Sequence, residues 1–493
     1  MIRPVSDYVK SVSELANFIG IQSDLKLEFT GITSDSRSVA SGDLFVALPG
    51  SSSHGARYIE EVRAGGAVAV ITDEAGALLI GEKLPTIVIS NPRLILGDIC
   101  SWFYRSPSSS MQLIGITGTN GKTTTTTILN QILKSAGKST GLIGTIGIEI
   151  GPEKLAASFT TPEASELQSL LATMRERHVS HVSMEVSSHA LEALRIAGTK
   201  FNVVGFTNLT QDHLDFHGDM PSYFAVKSKL FASEYSDLGF VNIDDAYGKK
   251  LYKASNISMT SLSRENRGAQ WHFERIESTS RGYSVAIRGT GGILIEGDIN
   301  LIGDHNLDNL LMAVAIATQL EIDPLVIGNS LAHITGAAGR LESIELGQKF
   351  LALIDYAHTP DAVTRILATL RKSVSGRLIA VLGCGGDRDK SKRPIMGREL
   401  LEGSDLAIFT SDNPRSESPE NILAEMTAGL KLKENSTTLV DRREAIAFAV
   451  ASALPGDCVI ILGKGHESGQ EISGRKFAFD DRIELARAIE ELA

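Results

Sequence analysis

Cysteine is scarce in this chain. Only Cys100, Cys384 and Cys458 occur in 493 residues, too far apart for any CxxC pair. That spacing speaks against a disulfide framework or a zinc ribbon and suits a reducing compartment. Basic charge is not in excess either: 48 Lys and Arg stand against 59 Asp and Glu, a formal net charge of −11. A broad basic surface for nucleic acid is therefore not expected, and anionic substrates must be met by local positive groups. No stretch reaches the roughly 18 uninterrupted apolar residues of a spanning helix. The opening segment, MIRPVSDYVKSVSELANFIG, lacks the apolar core of a signal peptide. A cytoplasmic protein with no membrane span is expected. No short-period repeat and no low-complexity tract stands out.

What is present is an ordinary globular balance, 42% hydrophobic and 22% charged residues, enough to bury several cores. The length suggests about three domains. Two stretches read as linkers, the Ser/Pro-rich residues 105–110 and the Gly/Ala-rich residues 336–339. They divide the chain into 1–108, 109–337 and 338–493. The first part mixes short strands, at 42–48, 67–71 and 86–89, with a helix over 94–104. The second opens with an apolar strand at 112–116 and a helix over 122–136, where Ile128, Leu129, Ile132 and Leu133 have helical spacing. Further strands are read at 181–186, 202–208 and 239–243, and a helix over 308–320. The third part repeats strand, polar loop and helix, with strands at 350–354, 378–382, 406–409 and 459–462. Such alternation predicts a doubly wound, mostly parallel sheet whose ligands sit in the loops after the strands.

Gly118-Thr119-Asn120-Gly121-Lys122-Thr123-Thr124 lies between a strand and a helix. Glycines let backbone N–H groups face a phosphate, and the helix N-terminus adds positive potential. Lys122 is placed for the β- and γ-phosphates of ATP and the Thr123 hydroxyl for Mg²⁺. The general phosphate-loop pattern has glycine where this chain has Ile116, so the loop is a variant. ATP binding alone would serve a kinase, a motor or a switch equally well.

Further motifs narrow the reading. Met184-Glu185-Val186-Ser187-Ser188-His189 ends a strand with a carboxylate, and Asn208-Leu209-Thr210-Gln211-Asp212-His213-Leu214-Asp215-Phe216-His217-Gly218 follows another strand. Tyr223 and Lys227 come next at YxxxK spacing. Beyond them stand Asp304-His305-Asn306-Leu307-Asp308-Asn309, Gly339-Arg340 and Asp355-Tyr356-Ala357-His358-Thr359-Pro360. On residue type alone, Glu185 reads as a solvated strand end, Lys227 as a solvated helix lysine and Asn309 equally as helix surface. In order and spacing, however, the set resembles the Mur ligases across nearly the whole chain, with folylpolyglutamate synthases as more distant relatives.

The resemblance implies three α/β domains: a smaller N-terminal domain for a UDP-sugar, a central phosphate-loop ATPase-type parallel sheet, and a C-terminal Rossmann-like doubly wound sheet for an amino acid. It implies an ATP-dependent acid–amino-acid ligase acting in peptidoglycan precursor synthesis. Lys122, Glu185, His213, Lys227 and Arg340 take catalytic roles. Thr123, Glu185, His213 and Lys227, the last as a CO₂-derived carbamate, hold Mg²⁺. Asn306, Arg340, Asp355 and His358 join the loop in holding ATP. Ser36, Thr160, Thr161, Ser187, Arg195 and Lys227 hold the UDP-sugar peptide. Two departures stand out: Ala338 where many relatives have proline, and Ala193 where relatives often carry an amide two residues before the arginine.

The added amino acid is addressed by Asp412-Asn413-Pro414-Arg415, with Arg388, Gly463 and Glu467. This set resembles the family members that add meso-diaminopimelate to UDP-MurNAc-L-Ala-D-Glu. A planar guanidinium suits the distal carboxylate that lysine lacks. Three alternatives stay open: the same ligase adding L-lysine, a folylpolyglutamate synthase-like ligase, and a non-catalytic ATP-gated binding protein. A monomer is expected.

Overall fold

In the computed structural model, which describes residues 2–50, 53–279, 282–434 and 436–492, the apolar run behind the phosphate loop forms the strand Gln112–Thr117. The side chain of Asp215 lies outside the described residues. His181–Glu185 pairs with this strand on one side and Val203–Phe206 on the other, both in parallel. A strand so placed is covered on both faces, which is why it reads as a continuous apolar run rather than an alternating one. The chain forms two compact units. One comprises Met1–Glu274, Ala286–Glu296 and Asp308–Ser330, the other Arg275–Val285, Gly297–Leu307 and Leu331–Ala493.

In the first unit the sheet runs Glu153–Leu155, Gly147–Ile150, Thr140–Gly144, His181–Glu185, Gln112–Thr117, Val203–Phe206, Leu238–Asn242 and Ser258–Ser263. The pairings are parallel from Thr140–Gly144 onward and antiparallel in the outer hairpin. Helix Lys122–Ser135 buries Ile128, Leu129, Ile132 and Leu133, the stripe expected from their spacing. Near the N-terminus, Gly31–Thr33, Asp43–Val46, Ala69–Thr72 and Thr86–Val88 form a smaller parallel sheet in chain order. A helix, Pro92–Phe103, starts on the Asn91 cap with Pro92 in its first turn. Both are ordinary helix-start signals.

The second unit holds the sheet Glu342–Ser343, Leu351–Asp355, Cys458–Leu462, Leu378–Leu382, Leu406–Phe409 and Thr437–Thr438 in that order. Every pairing but the first is parallel. Apolar clusters cover both faces. One packs around Leu353, Leu382 and Phe409, the other around Ile354, Ile379 and Ile461. This is the doubly wound arrangement expected from the alternation of strands and helices. The helix expected over 308–320 starts earlier, at Asp304, and runs to Gln319. Its polar first turn hid the start, because only the later residues carry the apolar stripe. Among the described residues no helix is long and apolar enough to cross a membrane.

The second unit also buries an ion pair completely. Arg442 and Asp481 have fully covered side chains. Arg442 Nε and Nη2 each donate to the Asp481 carboxylate at 2.7 Å, and Nη2 also donates to the Leu462 carbonyl at 2.9 Å. The pair thus fixes the end of a central strand just before the loop that begins at Gly463. Removing one partner of a buried pair leaves the other charge uncompensated, at a cost of about 3–5 kcal/mol. Asp481→Ala is expected to lower the stability of this unit by that amount in chemical unfolding. A change under about 1 kcal/mol would mean that the Arg442 charge finds another partner.

Candidate active site

The phosphate loop is shaped by contacts that only glycine permits. Gly118 has φ +148°, and a Cβ there would collide with Thr207 Oγ1. Gly121 has φ +87°, and a Cβ there would strike Asn309 Oδ1. Asn309 is therefore buried against the loop rather than on a helix surface, and its Oδ1 also accepts from Thr125 Oγ1 at 3.3 Å. Gly121 caps helix Lys122–Ser135 with no side chain on the first N–H groups, which leaves those donors to an anion. Thr124 lies buried in that first turn. Asn120 N donates to Asn208 Oδ1 at 3.0 Å, and Thr119 Oγ1 donates to the Thr210 carbonyl at 3.2 Å. Lys122 Nζ donates to the carbonyls of Gly118 and Thr119, each at 2.8 Å.

Glu185 is 1% exposed, not solvated. Its carboxylate accepts from Thr123 Oγ1 at 2.9 Å, from the Thr145 amide at 2.8 Å and from Thr145 Oγ1 at 3.1 Å. From there hydroxyls lead toward the residues assigned to the peptide substrate. Thr145 Oγ1 lies 3.0 Å from Thr160 Oγ1. Thr161 Oγ1 donates to the Glu185 carbonyl at 2.9 Å and accepts from the Ser187 amide at 3.1 Å. Arg195 donates to the Thr161 carbonyl at 3.2 Å, pairs with Glu163 at 2.6 Å and lies 4.4 Å over the Phe159 ring. Phe159 and Glu163 line a cleft of about 670 Å³ that also includes Ser36, Arg37, Tyr58 and Glu61. Hydrogen bonds through side chains and through the backbone carbonyls of Glu185 and Thr161 thus connect Thr123 with this cleft.

Lys227 is also 1% exposed, contrary to a solvated helix lysine. Its Nζ donates to the Gly118 carbonyl at 2.9 Å and lies 4.7 Å from the Tyr223 ring centroid. Burial, then repulsion from Lys122, holds the Lys227 ammonium well below the usual lysine range, with Asp212 pulling the other way. His213 adopts φ +52° at the start of the short helix Leu214–His217 and stays half exposed. Few side chains take this left-handed conformation without a local reason. Its ring meets His189 at 4.9 Å, His189 lies 5.7 Å from His217, and His217 stacks on Tyr223 at 4.7 Å. An aromatic row therefore leads from His213 to Lys227.

In the second unit, Asp355 ends its strand with a carboxylate that accepts from the amides of Leu341 and Ala357, each at 2.8 Å. Burial pushes its carboxyl above the usual range, against the pull of Arg340. The Arg340 guanidinium lies 5.0 Å over the Tyr356 ring, and His358 Nδ1 is 2.8 Å from the Tyr356 carbonyl. Asn306 donates to the Ile302 carbonyl at 2.8 Å. Where the sequence suggested a linker, Ala337 is buried and Gly339 packs against Gly465 and His466.

The loops after Leu378–Leu382, Leu406–Phe409 and Cys458–Leu462 carry the other group. Asn413 donates from Nδ2 to Glu467 at 2.9 Å. Arg415 has φ +52°; its Nη1 donates to the Gly386 carbonyl at 2.7 Å, and its Nε lies 3.6 Å from Glu471. The Pro414 carbonyl accepts from the Glu417 amide at 3.0 Å. Asp412 accepts from the Asn413 amide at 2.6 Å and lies where a Cβ on Gly463 would reach, while Arg388 is exposed beside Gly385.

These features coincide with known families in the same order. The profile described as "Mur ligase family, catalytic domain" matches residues 28–104. "Mur ligase middle domain" matches 116–317, and "Mur ligase, glutamate ligase domain" matches 339–465. The UDP-N-acetylmuramoyl-L-alanyl-D-glutamate–2,6-diaminopimelate ligase of Streptomyces coelicolor is 44% identical over 495 residues, covering 99% of this chain and 98% of its own. The chain belongs to the Mur ligase family. The protein of the same name from Aquifex aeolicus is 42% identical over 451 residues, 92% of each chain. A solved structure of a ligase of that name superposes with a TM-score of 0.73 at 32% identity, covering 98% of this chain and 99% of that one.

A Mur ligase is an ATP-dependent enzyme, and the phosphate loop is built accordingly. Two residues that shape this Mur ligase site escaped sequence reasoning, Thr145 and Glu163, which hold Glu185 and Arg195, and Asp212, part of a recognised motif, has no role assigned there although its charge acts on Lys227. Thr145 directly follows a strand end, the one local signal it carries. Gly144 offers a test of how tightly Glu185 is held, because a Cβ there would collide with Glu185 Oε1. Gly144→Ala is expected to cut ATP turnover by about tenfold or more, roughly 1.4 kcal/mol of barrier, with little change in unfolding midpoint. Turnover equal to the parent enzyme would show that the carboxylate position is not critical.

Proposed function

We propose that this Mur ligase adds meso-2,6-diaminopimelate to the D-Glu side-chain carboxylate of UDP-MurNAc-L-Ala-D-Glu, with cleavage of ATP, in peptidoglycan precursor synthesis. Residues 1–108 would receive the UDP-sugar at the cleft containing Ser36, 109–337 the ATP, and 338–493 the amino acid. The γ-phosphoryl group passes to the substrate carboxylate and ADP leaves. An amine of diaminopimelate then attacks the acyl carbon, phosphate departs, and the nitrogen gives up a proton. Splitting the reaction this way replaces a poor leaving group with a good one. Lys122, within the phosphate loop, is suited to the charge on the phosphoryl oxygens.

The Thr123 hydroxyl and the Glu185 carboxylate, buried and 2.9 Å apart, are hard oxygen donors that fit Mg²⁺. Among the described residues no three His, Cys, Asp or Glu side chains gather as a metal cluster. A second Mg²⁺ would draw on His213 and on a carbamate formed from Lys227. Mg²⁺ supplies charge neutralisation for phosphoryl transfer. The burial of Lys227 supports the carbamate reading, since an uncharged amine is the form that adds CO₂. Lys227→Ala is expected to reduce turnover by about a hundredfold or more, with partial recovery on adding short carboxylic acids. Full activity without any additive would remove the carbamate from the mechanism.

The observation that carries the choice of amino acid is the Arg415 guanidinium, held by a backbone carbonyl beside the paired Asn413 and Glu467. Diaminopimelate and lysine differ in the distal carboxylate alone, and a charge-assisted bond to it is worth roughly 1.5–3 kcal/mol. Arg415→Ala is therefore expected to raise KM for meso-diaminopimelate by about ten- to a hundredfold, with KM for ATP and the UDP-peptide nearly unchanged. Arg415→Lys should recover only part of this, because an ammonium has no planar fork. Phosphate release with both amino acids decides the matter: a parent enzyme using lysine as well as diaminopimelate would transfer the reading to the lysine-adding ligase.

A further inference from the structure

Lys464 lies in the middle of the Gly463–Glu467 loop, yet its side chain is 0% exposed. Its ammonium donates to the Gly469 carbonyl at 2.7 Å, to Asn413 Oδ1 at 3.1 Å and to Glu467 Oε2 at 3.3 Å. An ammonium has three N–H donors, so these acceptors use all of them. Lys464 is thus buried and saturated and has no donor left for a substrate. Two of its acceptors are the residues assigned to the amino acid. The same Glu467 Oε2 also accepts from Asn413 Nδ2 at 2.9 Å, whereas Oε1 accepts no hydrogen bond among the described residues. Asn413 Oδ1 is held from a second side by the Glu471 amide at 3.0 Å. One carboxylate oxygen is therefore clamped and the other is left to a ligand.

We propose that Lys464 is a positioning residue of the amino-acid pocket, its buried ammonium fixing the Glu467 carboxylate and the Asn413 amide to receive one ammonium of a diamino acid. This rests on the reading that these loops hold the diamino acid. A carboxylate already oriented by two donors loses less freedom when the ligand arrives. The lysine also offsets like charge, since Glu467 and Asp412 belong to the same loop cluster.

The test measures steady-state kinetics of the full-length enzyme with meso-diaminopimelate, ATP and the UDP-peptide varied in turn. Lys464→Met is expected to raise KM for meso-diaminopimelate by about tenfold, leaving KM for ATP within about twofold. Combined with Glu467→Gln, the double variant should lose little more than the weaker single variant, because both act through one carboxylate. Additive losses, or a joint rise in all three KM values, would overturn the proposal by making Lys464 a general structural cation. Should Lys464→Met not fold, Lys464→Arg keeps the buried charge and changes the donor geometry. A raised KM for meso-diaminopimelate at the parent unfolding midpoint then supports the role, and an unchanged KM overturns it. If Arg415→Ala and Glu467→Gln both leave that KM untouched, the assignment of the pocket itself has failed.

Discussion

The buried carboxylate of Glu185 is the constraint around which the first unit's chemistry is organised. A carboxylate taken out of water must be met by donors, and each donor here already belongs to another part of the site. Thr123 comes from the phosphate loop and Thr145 from a neighbouring strand end, while Thr161 ties down the Glu185 backbone. Satisfying one charge therefore fixes the distances between the nucleotide loop and the residues assigned to the peptide substrate. Because the strand carrying Glu185 is hydrogen-bonded on both sides, the carboxylate has a rigid base, which is what precise placement of a side chain requires.

The second unit applies the same solution with the opposite sign. Behind its loops stand three buried cations, Arg393, Arg442 and Lys464. Arg393 joins Glu417 and Glu425 and donates to the Gly385 carbonyl at 3.2 Å. Each guanidinium or ammonium gathers carbonyls and carboxylates from separate loops, so segments distant in the chain are held in one geometry. Buried ion pairs add little net stability compared with apolar packing, but breaking one is costly. Their value here is conformational: they leave the loops between Gly383 and Glu467 few alternatives.

The phosphate loop was legible in the sequence because its signal is local: strand, glycines, Lys-Thr and helix within one short segment. The third part's strands were legible because parallel strands covered on both faces are uninterrupted apolar runs. Leu378–Leu382 and Leu406–Phe409 match the expectation end for end, while the other two differ by one residue, 350–354 against Leu351–Asp355 and 459–462 against Cys458–Leu462, since end residues carry mixed signals. The burial of Lys227, Glu185 and Asn309 was not legible. Each is polar and each contacts a segment far away in the chain, so no periodicity marks it. Family resemblance, not residue type, gave Lys227 and Glu185 their roles. Glu163 carried no signal of either kind and Thr145 only its place after a strand end, while Lys464 lay within a loop marked for ligands but had no role of its own, because each touches functional residues rather than acting as a motif position.

The three loops assigned to the amino acid all leave the same edge of one parallel sheet, while the residues that pack its two faces lie elsewhere. On the proposed reading of these loops, stability and substrate choice are thereby stored in different sets of positions. A lineage could exchange one amino acid for another by altering a handful of loop side chains, with the sheet unaware of the change. The same separation sets a boundary on drift. The loops can vary only so far as the buried cations beneath them keep their acceptors, so the backbone oxygens of Leu462, Gly385 and Gly469 constrain the evolution of this surface more tightly than its exposed side chains do.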